Sequence, residues 1–295
     1  MQFAVLGSAD SWYFRDLERA AENQHQLQPL PFSTIMAGVE STGQRQLSGQ
    51  QSLGQFDAVL VRTMPPGSLE QVVFRMDVLD ALARQGIPVV NPPTAIEAAV
   101  DKYRALSRLQ EAGLPVPRTI VCQGVEEAME AFVALGEDVV IKPIFGGEGR
   151  GISRLSDRDM AARAFTLLVQ LKAVIYLQEF IPHHGHDLRI LVIDDQLLAI
   201  RRCSETDWRT NIGRGGRAEA VSLDPALQQL ARQATASVGA LVAGVDILPG
   251  LDGEHYLLEV NGVPGWKALA RTLDVDVASM LLDLLVRQVV SAPCS

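Results

Sequence analysis

Two short runs late in the chain carry the clearest alternation. Val242-Ala243-Gly244-Val245-Asp246-Ile247-Leu248 and Tyr256-Leu257-Leu258-Glu259-Val260-Asn261 are rich in β-branched residues and leucine. Pro249-Gly250-Leu251-Asp252-Gly253 between them is turn chemistry. The pattern predicts a β-hairpin. Folded symmetrically about Asp252 and Gly253, it sets Asp246 opposite Glu259 and Gly244 opposite Asn261. The period of two then holds Glu259 and Asn261 on one face, and Val245, Ile247, Leu258 and Val260 on the other. Such a ribbon is apolar behind and acidic in front.

Upstream, the apolar runs at 3–7, 58–62 and 88–90 read as strands, 11–22 as a helix and 77–84 as the end of another, which implies a small parallel α/β unit. The Gly-, Ser- and Gln-rich stretch 38–55 reads as loops. Asn91-Pro92-Pro93-Thr94 is a turn and a boundary, with Thr94 as helix cap and 95–112 as one unbroken helix stopped by Gly113. Strands at 118–122, 138–142, 152–155 and 174–181 alternate with helices at 125–135 and 157–171, an α+β module of antiparallel character. A strand pair around Asp194-Asp195, a helix at 225–238, the hairpin and a helix at 275–290 complete the chain.

Composition narrows the classes. With 295 residues, 47% apolar and 21% charged, the chain builds two or three subdomains around sizeable cores. A net charge of −9 argues against general binding to nucleic acid or anionic membrane. No basic leader and no apolar run of membrane-spanning length stand in the sequence, so a cytoplasmic protein is expected. Cys122, Cys203 and Cys294 are odd in number and unpaired in spacing, which points to free thiols. Gly7-Ser8-Ala9-Asp10 carries one glycine where a dinucleotide fingerprint needs three, so NAD is not expected there.

Against this background the acidic ribbon gains meaning. Two carboxylates and a carboxamide crowded together repel unless a cation joins them, and hard oxygen donors suit Mg²⁺ carrying phosphates; a merely solvated hairpin face has the same pattern. Phe145-Gly146-Gly147-Glu148-Gly149-Arg150-Gly151 can bring bare backbone N–H groups against phosphate oxygens, with Lys142 as a point charge beside it, although such a loop is also an ordinary turn. Lys102 reads either as a surface lysine or as a second cation. The strand 174–181 offers extended backbone to a purine edge, with Glu179 accepting from a sugar hydroxyl or amino group, or simply ends at Pro182. His183-His184-Gly185-His186 lacks a fourth ligand nearby, which argues against a zinc site. Five arginines around Trp208-Arg209-Thr210-Asn211 and Arg214-Gly215-Gly216 suit a small anionic substrate, with RNA as the rival.

In order along the chain, these residues resemble the ATP-grasp carboxylate-amine ligases, and most closely the RimK-like glutamate ligases. The resemblance rests on Asp101-Lys102, Ile141-Lys142-Pro143 with its glycine loop, Gln178-Glu179-Phe180-Ile181, Asp187-Leu188-Arg189, Trp208-Arg209-Thr210-Asn211, Ala243-Gly244-Val245-Asp246 and Glu259-Val260-Asn261. It implies an ATP-grasp fold of α/β and α+β class, with an N-terminal parallel α/β domain over 1–92, a central subdomain over 93–181 and a C-terminal subdomain over 182–295.

By that resemblance, Lys102, Lys142, Gly146, Gly147 and Gly149 meet the phosphates of ATP and the strand from Gln178 through Glu179 and Phe180 to Ile181 lines the adenine. Glu179 and Asp187 hold base and sugar, and Arg209 and Asn211 lie near the phosphates. Asp246, Glu259 and Asn261 match ligands of Mg²⁺, or of Mn²⁺. The implied chemistry activates a carboxylate as an acylphosphate, with Arg202 or Arg214 on its oxygens, and an amine then displaces phosphate. The partners implied are L-glutamate and a small carboxylate acceptor such as a tetrahydromethanopterin-type C1 carrier, with a protein C-terminus or amino-acid carrier protein as the alternative, and no nucleic acid or membrane. Family members often form homo-oligomers. Trp12 and Tyr13 offer rings to a pterin, or pack a helix on the sheet. A non-catalytic ATP-binding or RNA-binding protein is the reading from a different class.

Overall fold

The structure is a computed structural model and describes every residue except 42, 147–150, 205–206, 211–215 and 293–295. The first elements are β1 (Gln2–Leu6), α1 (Trp12–Ala21), β2 (Gln26–Leu30), β3 (Ile35–Glu40), β4 (Gly43–Ser48), β5 (Gln51–Ser52), β6 (Ala58–Val61), α2 (Leu69–Arg84) and β7 (Val89–Val90). Strands β2-β1-β6-β7 form a parallel sheet. Phe3, Ala4, Val5 and Leu6 are all buried, as expected of a parallel strand covered on both faces. Serines start the helices: the Ser11 hydroxyl accepts from the Phe14 N–H, and Ser68 with Gln71 makes a capping box on α2.

The stretch 38–55 is not loop. Residues 35–52 hold β3, β4 and β5 as a small antiparallel sheet. Its outer strand is largely exposed, with Val39 80% accessible, so backbone pairing rather than apolar alternation defines it. Next come α3 (Pro93–Val100) and α4 (Lys102–Glu111), two helices where one is expected. The break is Asp101: its backbone is extended, and its carboxylate caps α4 by accepting from the N–H groups of Tyr103 and Arg104 at 2.9 and 3.1 Å. An aspartate that competes for helix N–H groups starts a new helix more readily than it continues an old one.

Strands β8 (Thr119–Cys122), β9 (Val139–Lys142), β10 (Ser153–Leu155) and β11 (Ile175–Glu179), with α5 (Val125–Ala134) and α6 (Arg158–Gln170), give an antiparallel sheet in the order β10-β9-β11-β8. Phe132 and Phe165 fill the core beneath it. The remaining elements are β12 (His186–Ile193), β13 (Gln196–Cys203), β14 (Arg217–Ala220), α7 (Pro225–Val238), β15 (Val242–Pro249), β16 (His255–Asn261), α8 (Lys267–Leu273) and α9 (Val277–Ser291). Their sheet runs β14-β13-β12-β15-β16, antiparallel throughout.

One face of this third sheet is apolar along its length: Leu188, Ile190, Val192, Val245, Ile247 and Val260 pack on α4 and α7. The other face changes character part-way. Leu191, Ile193, Ile200 and Val242 meet α8 and α9, which in turn cover Phe3, Val5 and Leu60 of the first sheet. One step further along the same rows stand Arg189, Arg202 and Asp246, the last two lining an open cleft. Asn91 ties the junction together. Its buried amide donates to the carbonyls of Val242 and Gly262 and accepts from the N–H groups of Leu241 and Val242. All four hydrogen-bonding positions of the side chain are thereby satisfied.

Candidate active site

The acidic hairpin folds in the register that its symmetry predicts, with Asp246 opposite Glu259 and Gly244 opposite Asn261. A bulge follows at Asp246/Ile247 and moves the pairing by one residue, so Ile247 faces Leu257. Leu257 therefore takes the core position, and Leu258, expected behind the ribbon, lines the cleft. An extra residue on one strand reverses the parity of everything beyond it.

Asp246 is 7% exposed and sits between two arginines: Arg189 Nη1 lies 2.7 Å from Oδ1 and Arg202 Nη2 3.1 Å from Oδ2. Burial pushes its carboxyl up, but the two guanidinium groups outweigh that and hold it below the usual carboxylate range. Gly244 makes the arrangement possible. A Cβ there would stand 2.6 Å from Arg189 Cζ, so only glycine lets the guanidinium cross the strand to Asp246.

Asp187 is also in the cleft, but both its oxygens are bound by Arg202, Nε at 2.7 Å and Nη2 at 2.6 Å. Asp187, which the family resemblance puts at the base or sugar, holds Arg202 in this structure. Burial lowers the pKa of Arg202, and Asp246 and Asp187 more than reverse that. Arg202 Nη1 is left without a partner among the described residues, so this rigid fork has one edge free for an anion.

Across the cleft, the break at Asp101 puts Lys102 at the start of α4. Its ammonium donates to the carbonyl of Gly146, the first loop glycine, where φ is +111°. Lys142 ends β9 and donates to Gln178 Oε1 at 2.6 Å, while Gln178 Nε2 donates to Thr119. Desolvation pushes Lys142 down to about 8 despite the nearby carboxylates of Glu259 and Asp246. Val140, Ile152, Phe180, Ile181, Leu248 and Leu258 give the cleft an apolar end. Arg154 lies 3.4 Å over the Phe180 ring and is fixed there by Asp138.

The Glu179 carboxylate accepts from the Arg118 N–H at 2.7 Å at the same end. Arg209 is anchored by Asp207 and donates to the carbonyl of Ile152, joining the arginine segment to β10. Gly147, Gly149, Asn211 and Arg214 lie outside the described residues. Trp12 and Tyr13 pack edge-on against Trp266 at 6.5 and 4.8 Å, so they brace α8.

The oxygen donors fit a divalent cation. Glu259 has no hydrogen bond or ion pair among the described residues, and Asn261 Oδ1 accepts one, from the Val263 N–H. Each oxygen of Asp246 keeps a second acceptor position beside its arginine. Among the described residues no three carboxylates, imidazoles or thiols converge. Two carboxylates and an amide suit a hard divalent ion that takes its other ligands from water and phosphate. Sequence reasoning missed Arg189 as a partner of Asp246, although it shares strand parity with Asp187, and missed Arg62, discussed below.

Residues 99–285 match the RimK-like ATP-grasp domain. The chain belongs to the RimK-like ATP-grasp family. It is 32% identical to the tetrahydromethanopterin:alpha-L-glutamate ligase of Methanosarcina acetivorans, over 81% of this chain and 82% of that protein. The ligase of the same name from Methanococcus maripaludis is 30% identical over 96% and 97%. Among solved structures, the ATP-grasp ligase PsnB with a phosphomimetic variant of its minimal precursor, Mg and ADP superposes with a TM-score of 0.77 at 26% identity, covering 97% of this chain and 98% of that one. This ATP-grasp protein is thus an ATP-dependent ligase. Its cleft lies between the second and third sheets, with Lys142 of the second near Glu259 and Asp246 of the third. No helix among the described residues is long and apolar enough to cross a membrane.

Proposed function

We propose that the chain joins L-glutamate to a carboxylate of a small C1-carrier cofactor of the tetrahydromethanopterin type, forming an amide and releasing ADP. The observation that carries the ligase chemistry is that Lys102 and Lys142 line one cleft with Asp246 and Glu259. The two relatives named above support the choice of substrates.

In this reading Lys142 and Lys102 bind the phosphates as point charges, and Lys142 regains its full charge as the anion replaces lost water. Asp246, Glu259 and Asn261 would hold Mg²⁺, which supplies charge neutralisation on the phosphates when bound. The apolar end, with Phe180, Ile181, Leu248 and Leu258, takes the base, and Glu179 sits beside it to accept from an amino or hydroxyl group. Attack of the acceptor carboxylate on the γ-phosphorus forms an acylphosphate and releases ADP. The glutamate amine then attacks the acyl carbon, phosphate leaves, and the amine gives up a proton. No side-chain nucleophile is required. Arg202 is pinned by Asp187 and Asp246 so that its free edge already points where acylphosphate charge develops, with no reorganisation at the moment of reaction.

The test is to incubate the protein with ATP, Mg²⁺, labelled glutamate and a mixed extract of small cofactors, and to identify by mass what gains a glutamyl increment. A pterin-type cofactor gaining that increment, with one ADP released per amide, is the expected result. ADP release without an amide, or label on protein alone, would overturn the substrate assignment.

A further inference from the structure

A second cavity, of about 370 Å³, meets the cleft at Glu259. Arg62, Thr63 and Met64 form one wall, just beyond the carboxyl end of β6; Glu259 and Asn261 form another, and Gly146 stands at its rim. The carboxyl ends of parallel strands are where open α/β sheets bind ligands.

Arg62 is the unusual group there. It is 8% exposed, and its ring-stacked position fixes it: Cζ lies 4.3 Å from the Trp266 ring centre and 5.1 Å from that of Tyr13. Gly265 permits this packing, since a Cβ there would meet the Tyr13 hydroxyl at 2.4 Å. Nη2 donates to the carbonyl of Pro264 at 3.0 Å, yet Nε is buried without a partner among the described residues. No carboxylate among the described residues pairs with the group, and burial lowers its pKa to about 10. A buried cation with an unmet donor and no counter-ion is costly to maintain unless a ligand completes it. Arg202, equally buried, has two acids.

We propose that Arg62 binds a carboxylate of the non-nucleotide substrate, held in this second cavity beside Glu259. The inference rests on the ligase reading and extends it to the substrate side of the reaction. A planar guanidinium fixed between two rings suits a carboxylate fork, and the cavity places that fork next to the donors that face the phosphates. Two carboxylates in the reaction have this chemistry: that of the amino acid, which keeps its charge throughout, and that of the acceptor.

The test compares wild-type protein with Arg62→Met and Arg62→Lys, and with Val100→Glu, which adds a carboxylate at an exposed position on the cavity wall. Calorimetric titrations of Mg-ADP-loaded protein use L-glutamate, which has the amine, and glutarate, which lacks it; steady-state assays give KM for each substrate once an acceptor is in hand. Loss of one charged fork should weaken the affected carboxylate by roughly tenfold to a hundredfold. ADP affinity and melting temperature should stay as in the wild type, Arg62→Lys should recover part of the loss, and Val100→Glu should reproduce it. Weakening of glutamate and glutarate together in Arg62→Met assigns the amino acid; unchanged binding of both with a raised KM for the acceptor assigns the acceptor. The proposal is overturned if the wild type binds neither probe, or if Arg62→Met lowers only the melting temperature. Failure of the ligase reading would show separately, as a wild type that binds the probes through Arg62 but makes no amide.

Discussion

Two buried arginines about the same carboxylate-lined junction are held in opposite ways. Arg202 lies between Asp187 and Asp246, which hold its Nε and Nη2, whereas Arg62 is gripped by two aromatic rings and one carbonyl and meets no acid among the described residues. The first is built to be rigid before any ligand arrives, and the second is built to be completed by one. Positioning for a charge that develops briefly calls for prior neutralisation, while binding a stable anion calls for a cation left unmatched.

Substitutions that disturb this contrast should differ in size and kind. The largest effect belongs to Asp246→Asn, which strips one of the oxygen donors and leaves Arg189 and Arg202 sharing too little negative charge; glutamate-dependent ADP release should drop about a thousandfold. Intact turnover in that variant would sink the assignment of the hairpin. Arg202→Met should lower kcat by about a hundredfold or more with ADP affinity little changed, and Asp187→Asn, acting through Arg202, should show a weaker version of the same split.

Lys142 gives a pH signature. Its charged form prevails below about 8 and its neutral form above. Phosphate attracts only the cation, and the triphosphate has already lost its last proton near about pH 6. ADP affinity measured by calorimetry should therefore be flat on the acid side of 8 and fall by up to about tenfold per pH unit on the alkaline side, and Lys142→Met should abolish that slope. Gly244→Ala forces Arg189 aside and should cost about 1–3 kcal/mol in a denaturant melt. At the small end, Val39→Thr on the exposed strand β3 should change stability by under about 0.5 kcal/mol.

The hairpin was legible because its register, its turn and its chemistry are all local. Asp246 and Glu259 are thirteen positions apart in sequence and joined by one turn, so strand parity alone places them together. The bulge that puts Leu258 into the cleft left no trace in the pattern, because leucine stands at both 257 and 258 and either satisfies the core. The helix break at Asp101 was visible in principle, since aspartate followed by a helical run is a cap signal, but the apolar periodicity on both sides of it reads as continuous. The sheet at 35–52 was illegible for a different reason: its strands bury little, so the pattern that reports burial is silent. Arg62 was hidden by distance, because Trp266 and Pro264 lie some two hundred positions away and only folding brings them to it.

Helix α9 carries a consequence for how the molecule is made. Leu281, Leu282 and Leu285 sit in one cluster with Phe3, Val5 and Leu60, and Arg19 on α1 grips Asp276 at the start of the same helix. Phe3, Val5 and Leu60 thus share that side of their sheet with α1 alone until residues more than two hundred positions downstream have been made. A nascent chain arrested before Val277 should accordingly leave part of that side open to chaperones and proteases, and extension past Ser291 should withdraw it.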